Sequence, residues 1–160
     1  HGLILQYPLT SNFVLCTYYR EPFSKHGILN ENEILRNAEE LMERFDVRAP
    51  SPVTVAGDLS GGNQQKVIVG RELSREVSLV IANQPTRGLD VGSIEYIHKT
   101  LIEMRDAGVG VLLVSSELDE IMSLSDRIAV IYRGEILAVL DAAEASREEI
   151  GLLMAGHISE

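Results

Sequence analysis

Leu59-Ser60-Gly61-Gly62-Asn63-Gln64-Gln65-Lys66 is the stretch on which the fold turns. A serine and two glycines directly before a helix outline an anion site. The glycines admit close backbone approach, the first-turn N–H groups and the helix dipole point at the anion, and the hydroxyl adds a donor. The same residues also suit a plain N-cap with flexible glycines, so alone they leave both readings open. The helix they open is expected over residues 63–75, with Val67, Ile68 and Leu73 inward.

Downstream, residues 78–82 form a short β-rich run and residues 86–90 a polar turn. Asp90 then caps a third helix with the apolar stripe Ile94, Ile97, Leu101, Ile102 and Met104, stopped by Gly108. Residues 109–115 read as a strand apolar on both faces, which suits the interior of a parallel sheet. A short helix over 117–123, a hairpin of 127–133 and 135–140 around Gly134, and a last helix over 144–155 follow. Upstream, Asn30 and Glu33 have capping-box spacing. Ile34, Leu35, Ala38, Leu41, Met42 and Phe45 then form one helical stripe that ends near Val47, before the stiff connector Ala49-Pro50-Ser51-Pro52. The first thirty residues, punctuated by Gly2, Pro8, Pro22 and Gly27, read as irregular structure with short helical pieces. Helices dominate to about residue 75, and strands and helices alternate beyond it. The expected division is a helical subdomain, 1–75, followed by part of an α/β core, 76–160.

Composition bounds the function without naming it. A hydrophobic fraction of 45% and a charged fraction of 24% are those of a globular protein. The formal charge of −10 argues against nucleic acid or an anionic membrane as the main partner. No apolar run approaches the roughly 18–20 residues that a membrane span needs, and no signal peptide is visible. A single cysteine, Cys16, fits a reducing compartment and is expected to be a small buried side chain. His1, His26, His98 and His157 lack metal-ligand spacing, and Met42, Met104, Met122 and Met154 are expected in the core. Arg87 reads equally as interfacial or as an ordinary surface arginine. For Phe13, Tyr18, Tyr19 and Phe23, core packing is favoured over contact with a membrane partner.

The motifs in order carry a resemblance. After LSGGNQQK come LVIANQPTRGLD (79–90), VLLVSSELDEI (111–121) and SDRIAVIYRGEI (125–136). This succession resembles an ATP-binding cassette of an ABC-type transporter: signature motif, Walker B strand, D-loop, switch strand and C-terminal hairpin. LSGGNQQK with PTRGLDVG is similar to the ATP-binding subunits of bacterial sugar importers, the ribose/galactose group and its nucleoside-importing relatives. The ending EEIGLLMAG resembles that of the second of two cassettes in one chain. The resemblance implies an α/β fold: a partial P-loop NTPase (RecA-like) cassette preceded by the helical subdomain. The phosphate loop G-x-x-x-x-G-K-[ST] is absent from the sequence, so tight ATP binding by this chain alone is not expected. In the related fold the missing phosphate-loop strand lies between the switch strand and the C-terminal part. An unfilled sheet position, with edges that favour dimerisation or domain swapping, is therefore expected.

The resemblance also assigns roles. Ser60, Gly61, Gly62, Asn63 and Gln64 would contact ATP held by a partner cassette, and Asp90 would cross the dimer interface. Where family-like Walker B strands end in Asp-Glu, this chain has Asn83, at the Mg²⁺-associated position, and Gln84, at the general-base position. The switch histidine position holds Ser116. An amide brings no charge to a metal and cannot take a proton, so no metal site is expected intact. Trapping ATP by mutation needs only the glutamate changed, so three changes favour natural degeneracy. ATP and Mg²⁺ belong to the full-length dimer, whose further partners are permease subunits and, indirectly, a substrate-binding protein. The expected location is peripheral, on the cytoplasmic face of the cell membrane. A silent regulatory or scaffold cassette, and a non-transport ABC ATPase, are the alternatives. The parent is an ABC-type ATPase, and this chain alone is not expected to hydrolyse ATP.

Overall fold

A computed structural model describes residues 2–157. The chain forms two compact units, residues 1–78 with 86–99, and residues 79–85 with 100–160. His1, read above as without a metal role, lies outside the described residues.

The first unit is helical. Helix α1 (Leu9–Phe13) precedes a two-residue hairpin, β1 (Ser24–Lys25) and β2 (Ile28–Leu29), which turns through His26 and Gly27 at positive φ. Helix α2 (Glu31–Arg44) starts where the capping-box spacing puts it, because the Asn30 side chain accepts the Glu33 N–H. Ile34, Ala38 and Leu41 are buried, and Phe45 just beyond the helix is too, whereas Leu35 falls outside the stripe and is exposed. The helix stops at Arg44, short of Val47, because Asp46 turns left-handed at φ 48°. A single 3-10 turn (Ala56–Asp58) leads to α3 (Gly61–Leu73), which begins two residues before the expected start, with Ser60 as its cap. Helices α1, α2 and α3 pack on one another. Each fully buried Leu or Phe among them contributes about 1.5–3 kcal/mol.

Two buried polar groups hold this unit in register. Asn12 is fully buried, and its amide accepts from Ile4 N and donates to the carbonyls of Ile4, Tyr7 and Pro8. That pins the segment before α1 and leaves no costly unpaired group. Lys66 reaches back from α3 to Asp46, with Nζ 2.6 Å from Oδ2 and 3.0 Å from the carbonyl, and its ammonium lies 4.8 Å from the Tyr96 ring centre. The Lys66 hydrogen bond holds the Asp46 carboxyl below its ordinary range against the effect of desolvation, with help from Arg48. Asp46 is half exposed, so water screens much of that attraction.

Four side-chain placements differ from expectation. Cys16 is exposed, as are Tyr18 and Tyr19, because the turns after α1 carry them outward; of the aromatic group only Phe13 is fully buried. Met154 is also exposed, on the outer face of the last helix.

The second unit holds the longer strands. Strands β3 (Leu79–Asn83) and β4 (Gly110–Val114) pair in parallel, Leu79 opposite Gly110 and Asn83 opposite Val114. Helix α4 (Val91–Asp106) supplies the crossover that a parallel pair requires. Strands β5 (Arg127–Tyr132) and β6 (Glu135–Asp141) form the expected hairpin, turning through Arg133 and Gly134, both at positive φ. Ile128 and Val130 face inward against Ile150 and Leu153 of α6 (Arg147–Met154) and the apolar side of α5 (Leu118–Leu124). Among the described residues β4 and β5 do not pair. An apolar cleft of about 920 Å³ runs along β4, α5 and β5. Leu112 and Val114 on β4 and Ile131 on β5 are exposed, so strands of buried-sheet composition stand here without covering layers.

Residues 86–99 lie beyond the expected boundary at 75/76 and cluster with the helical unit. They do so because Asp90 and Ser93 pack on Gly62, and Tyr96 on Lys66.

Candidate functional site

The residues singled out from the sequence fall into two groups, one in each unit. In the first, Ser60 ends the extended segment before α3 with ψ 156°, and its hydroxyl oxygen accepts from Asn63 N at 3.4 Å and from Asn63 Nδ2 at 3.1 Å. With the oxygen's acceptor capacity taken up, the hydroxyl proton is left as a donor. Asn63 Oδ1 accepts the Arg48 N–H at 2.7 Å, which fixes the amide with its NH₂ towards Ser60. Gln64 donates from Nε2 to the carbonyls of Ala56 and Leu59, both at 3.1 Å. The side chains of Asn63 and Gln64 thus shape the loop from within. The groups left for an anion are the Ser60 hydroxyl and the N–H groups of Gly61 and Gly62, which have no acceptor inside the helix.

The two glycines differ. A Cβ on Gly61 would meet nothing within 4 Å, so its bare face is open to an approaching ligand. Gly62 is buried against the cap of α4. There Asp90 accepts from Ser93 N at 3.0 Å and from Ser93 Oγ at 2.8 Å. The hydroxyl bond first, and the amide bond second, hold the Asp90 carboxyl below its ordinary range. Ser93 was not among the expected site residues; the Asp90-x-x-Ser93 spacing of an N-cap with its N3 partner is the signal that could have found it. Replacing Ser93 with Ala is expected to raise the Asp90 pKa towards the ordinary carboxylate value, checked by carbon-13 carboxyl titration. The sign follows from linkage: a depressed carboxyl stabilises the fold above its unfolded pKa of about 3.9, and that contribution is lost as pH falls through the folded value.

The second group is at the end of β3. Gln84 has φ 50°, a left-handed conformation uncommon for this residue type, and its N–H donates to Val114 O at 2.8 Å. Its side-chain Oε1 accepts from Ser116 Oγ at 3.3 Å. The fold therefore brings Gln84 and Ser116 together, with exposed Asn83 next to Gln84 in the chain. All three are neutral. No group of three or more His, Cys, Asp or Glu suited to a metal occurs among the described residues. The donor set at Asn83 and Gln84 does not fit Mg²⁺, a hard cation that binds through carboxylates and water.

Solved cassettes share this architecture. The dimeric structure of MJ0796, a bacterial ABC transporter cassette, superposes with a TM-score of 0.71 at 23% identity, over 88% of this chain and 59% of that one. The ADP conformation of MJ1267, an ATP-binding cassette of an ABC transporter, gives 0.66 at 21% identity, over 95% and 60%. No family model matches the chain. Among curated proteins, the guanosine import ATP-binding protein NupO of Bacillus subtilis is 55% identical over 98% of the chain. The nucleoside import ATP-binding protein NupA of Lactococcus lactis is 52% identical over 97% of the chain. Over nearly its whole length the chain is similar to the ATP-binding proteins of nucleoside importers, and it has the fold of an ATP-binding cassette. A ribose import ATP-binding protein, RbsA of Lacticaseibacillus paracasei, is 39% identical over 99% of the chain. The cassette spans 31% of the length of each of these three relatives. No helix among its described residues is long and apolar enough to cross a membrane.

Proposed function

We propose that this chain is the C-terminal part of the second cassette of a tandem subunit that energises import of a sugar or nucleoside. In this reading Ser60-Gly61-Gly62 closes over ATP held by the phosphate loop of the other cassette, and Asp90 crosses the interface between them. The observation that carries the reading is the start of α3, where Asn63 and Gln64 are committed to the loop while the Ser60 hydroxyl and open Gly61 face outward. The nucleoside branch is favoured, because the two import proteins above 50% identity are named for guanosine and nucleoside. Permease subunits and a substrate-binding protein complete the assembly, and the subunit sits peripherally on the cytoplasmic side of the membrane.

In the full-length subunit the centre to which Asn83, Gln84 and Ser116 belong binds nucleotide and turns it over slowly or not at all. Gln84 and Ser116 hold each other without a base between them, which supports this. The cleft along β4 and β5 takes the phosphate-loop strand. A silent scaffold role is the second reading, favoured by the same neutral pair.

The test is Ser60→Ala in the full-length subunit assembled with its permease. Loss of a hydrogen bond to a charged group is expected to lower kcat/KM for ATP about tenfold. Unchanged turnover would refute the signature reading. ATPase activity that the permease fails to stimulate, even in the unmodified subunit, would favour the scaffold.

A further inference from the structure

We infer that Ser93 is a positioning residue that couples Asp90 to the signature loop, through the space that Gly62 leaves empty. The inference rests on the reading above, in which Ser60–Gly62 and Asp90 face one partner cassette, and adds a physical link between them inside this chain.

Three observations carry it. Asp90 is exposed, yet both of its carboxylate oxygens are held by one residue, and that residue is buried. Gly62 is not among the glycines at positive φ, so its backbone conformation is open to any residue. A side chain is excluded there by space: a Cβ would overlap the Ser93 hydroxyl, lie 2.9 Å from Asp90 Oδ2 and 3.1 Å from Ser93 Cβ. Gly61, one residue earlier, has no such neighbour. The two glycines therefore do different work, Gly61 for what approaches from outside and Gly62 for what lies beneath. Because Ser93 touches both Gly62 and Asp90, Asp90 cannot turn away without disturbing the contact under Gly62. A shift of the signature loop in turn bears on the carboxylate through the Ser93 hydroxyl.

The experiment is a suppressor test on ATP kcat/KM of the full-length subunit with its permease, each variant first shown to unfold at the temperature of the unmodified protein. Gly62→Ala is expected to lower kcat/KM about tenfold and Ser93→Ala about threefold, while the double variant recovers to the Ser93→Ala level, since coupled neighbours are non-additive. Gly61→Ala should gain nothing from Ser93→Ala. A double variant as impaired as Gly62→Ala, or worse, overturns the coupling while leaving the signature reading intact, provided Ser60→Ala is still impaired. If Ser60→Ala and Gly62→Ala both leave kcat/KM unchanged, the signature reading fails, and the coupling with it. Should Gly62→Ala not fold, the cycle of Ser93→Ala with Asp90→Ala decides the matter. A residue that acts only through Asp90 costs nothing further in the Asp90→Ala background, and additive losses overturn the proposal.

Discussion

Restoring carboxylates at the two amide positions, Asn83→Asp with Gln84→Glu, in a full-length subunit whose other centre has been inactivated is expected to raise ATP turnover about 100-fold, the contribution of a positioned general base. The backbone is already in place for it. Gln84 is held at the end of the parallel pair by its N–H on Val114 O. Its side-chain oxygen already accepts the Ser116 hydroxyl, and a glutamate would accept that bond equally well. The substitution therefore changes charge and basicity while keeping the shape of the side chain. An aspartate at 83 supplies the negative charge that an amide cannot offer to a magnesium shell. Phosphate release under saturating ATP measures the outcome. No rise would mean that the amides are not what silences the site, and would move attention to Ser116→His.

Phe13→Ala is expected to destabilise the chain by about 3–5 kcal/mol, read from the denaturant midpoint. Phe13 is buried at the meeting of α1 with α3, where Gly70 permits close packing: a Cβ on Gly70 would lie 3.1 Å from the Phe45 ring and 3.3 Å from that of Phe13. Removing either ring leaves a void that a helix pair fixed at this spacing cannot collapse. The helix loosened is the one whose first turn carries LSGGNQQK, so the same substitution in the full-length subunit with its permease should also lower ATP turnover. A shift below about 1 kcal/mol would show that the site collapses after all.

Local chemistry was readable in the sequence, and choices made by distant segments were not. The start of α2 at Asn30, the hairpin around Gly134 and the parallel character of residues 109–115 all follow from neighbours within a few positions. The exposure of Cys16, Tyr18 and Tyr19 depends on how irregular turns after α1 are packed, where no periodicity marks an inner face. The site divides in the same way. LSGGNQQK marks the loop that opens α3, and the neutral amides at Asn83 and Gln84 stand in the sequence itself. The fate of the Asn63 and Gln64 amides rests on the backbone of Arg48, Ala56 and Leu59, brought near only by folding. The contact of Ser93 with Gly62 likewise joins residues from two different helices.

Lys66 has a further consequence. Its ammonium is packed between the Asp46 turn and the Tyr96 ring, with a side chain only 9% exposed, whereas Lys25 stands on the open hairpin. An acylating reagent in solution meets the second amine at once and the first only when the helical unit opens. The lysine that closes the signature sequence is thus a native chemical clock for that opening, timing from inside the protein how often the helix behind the motif comes loose.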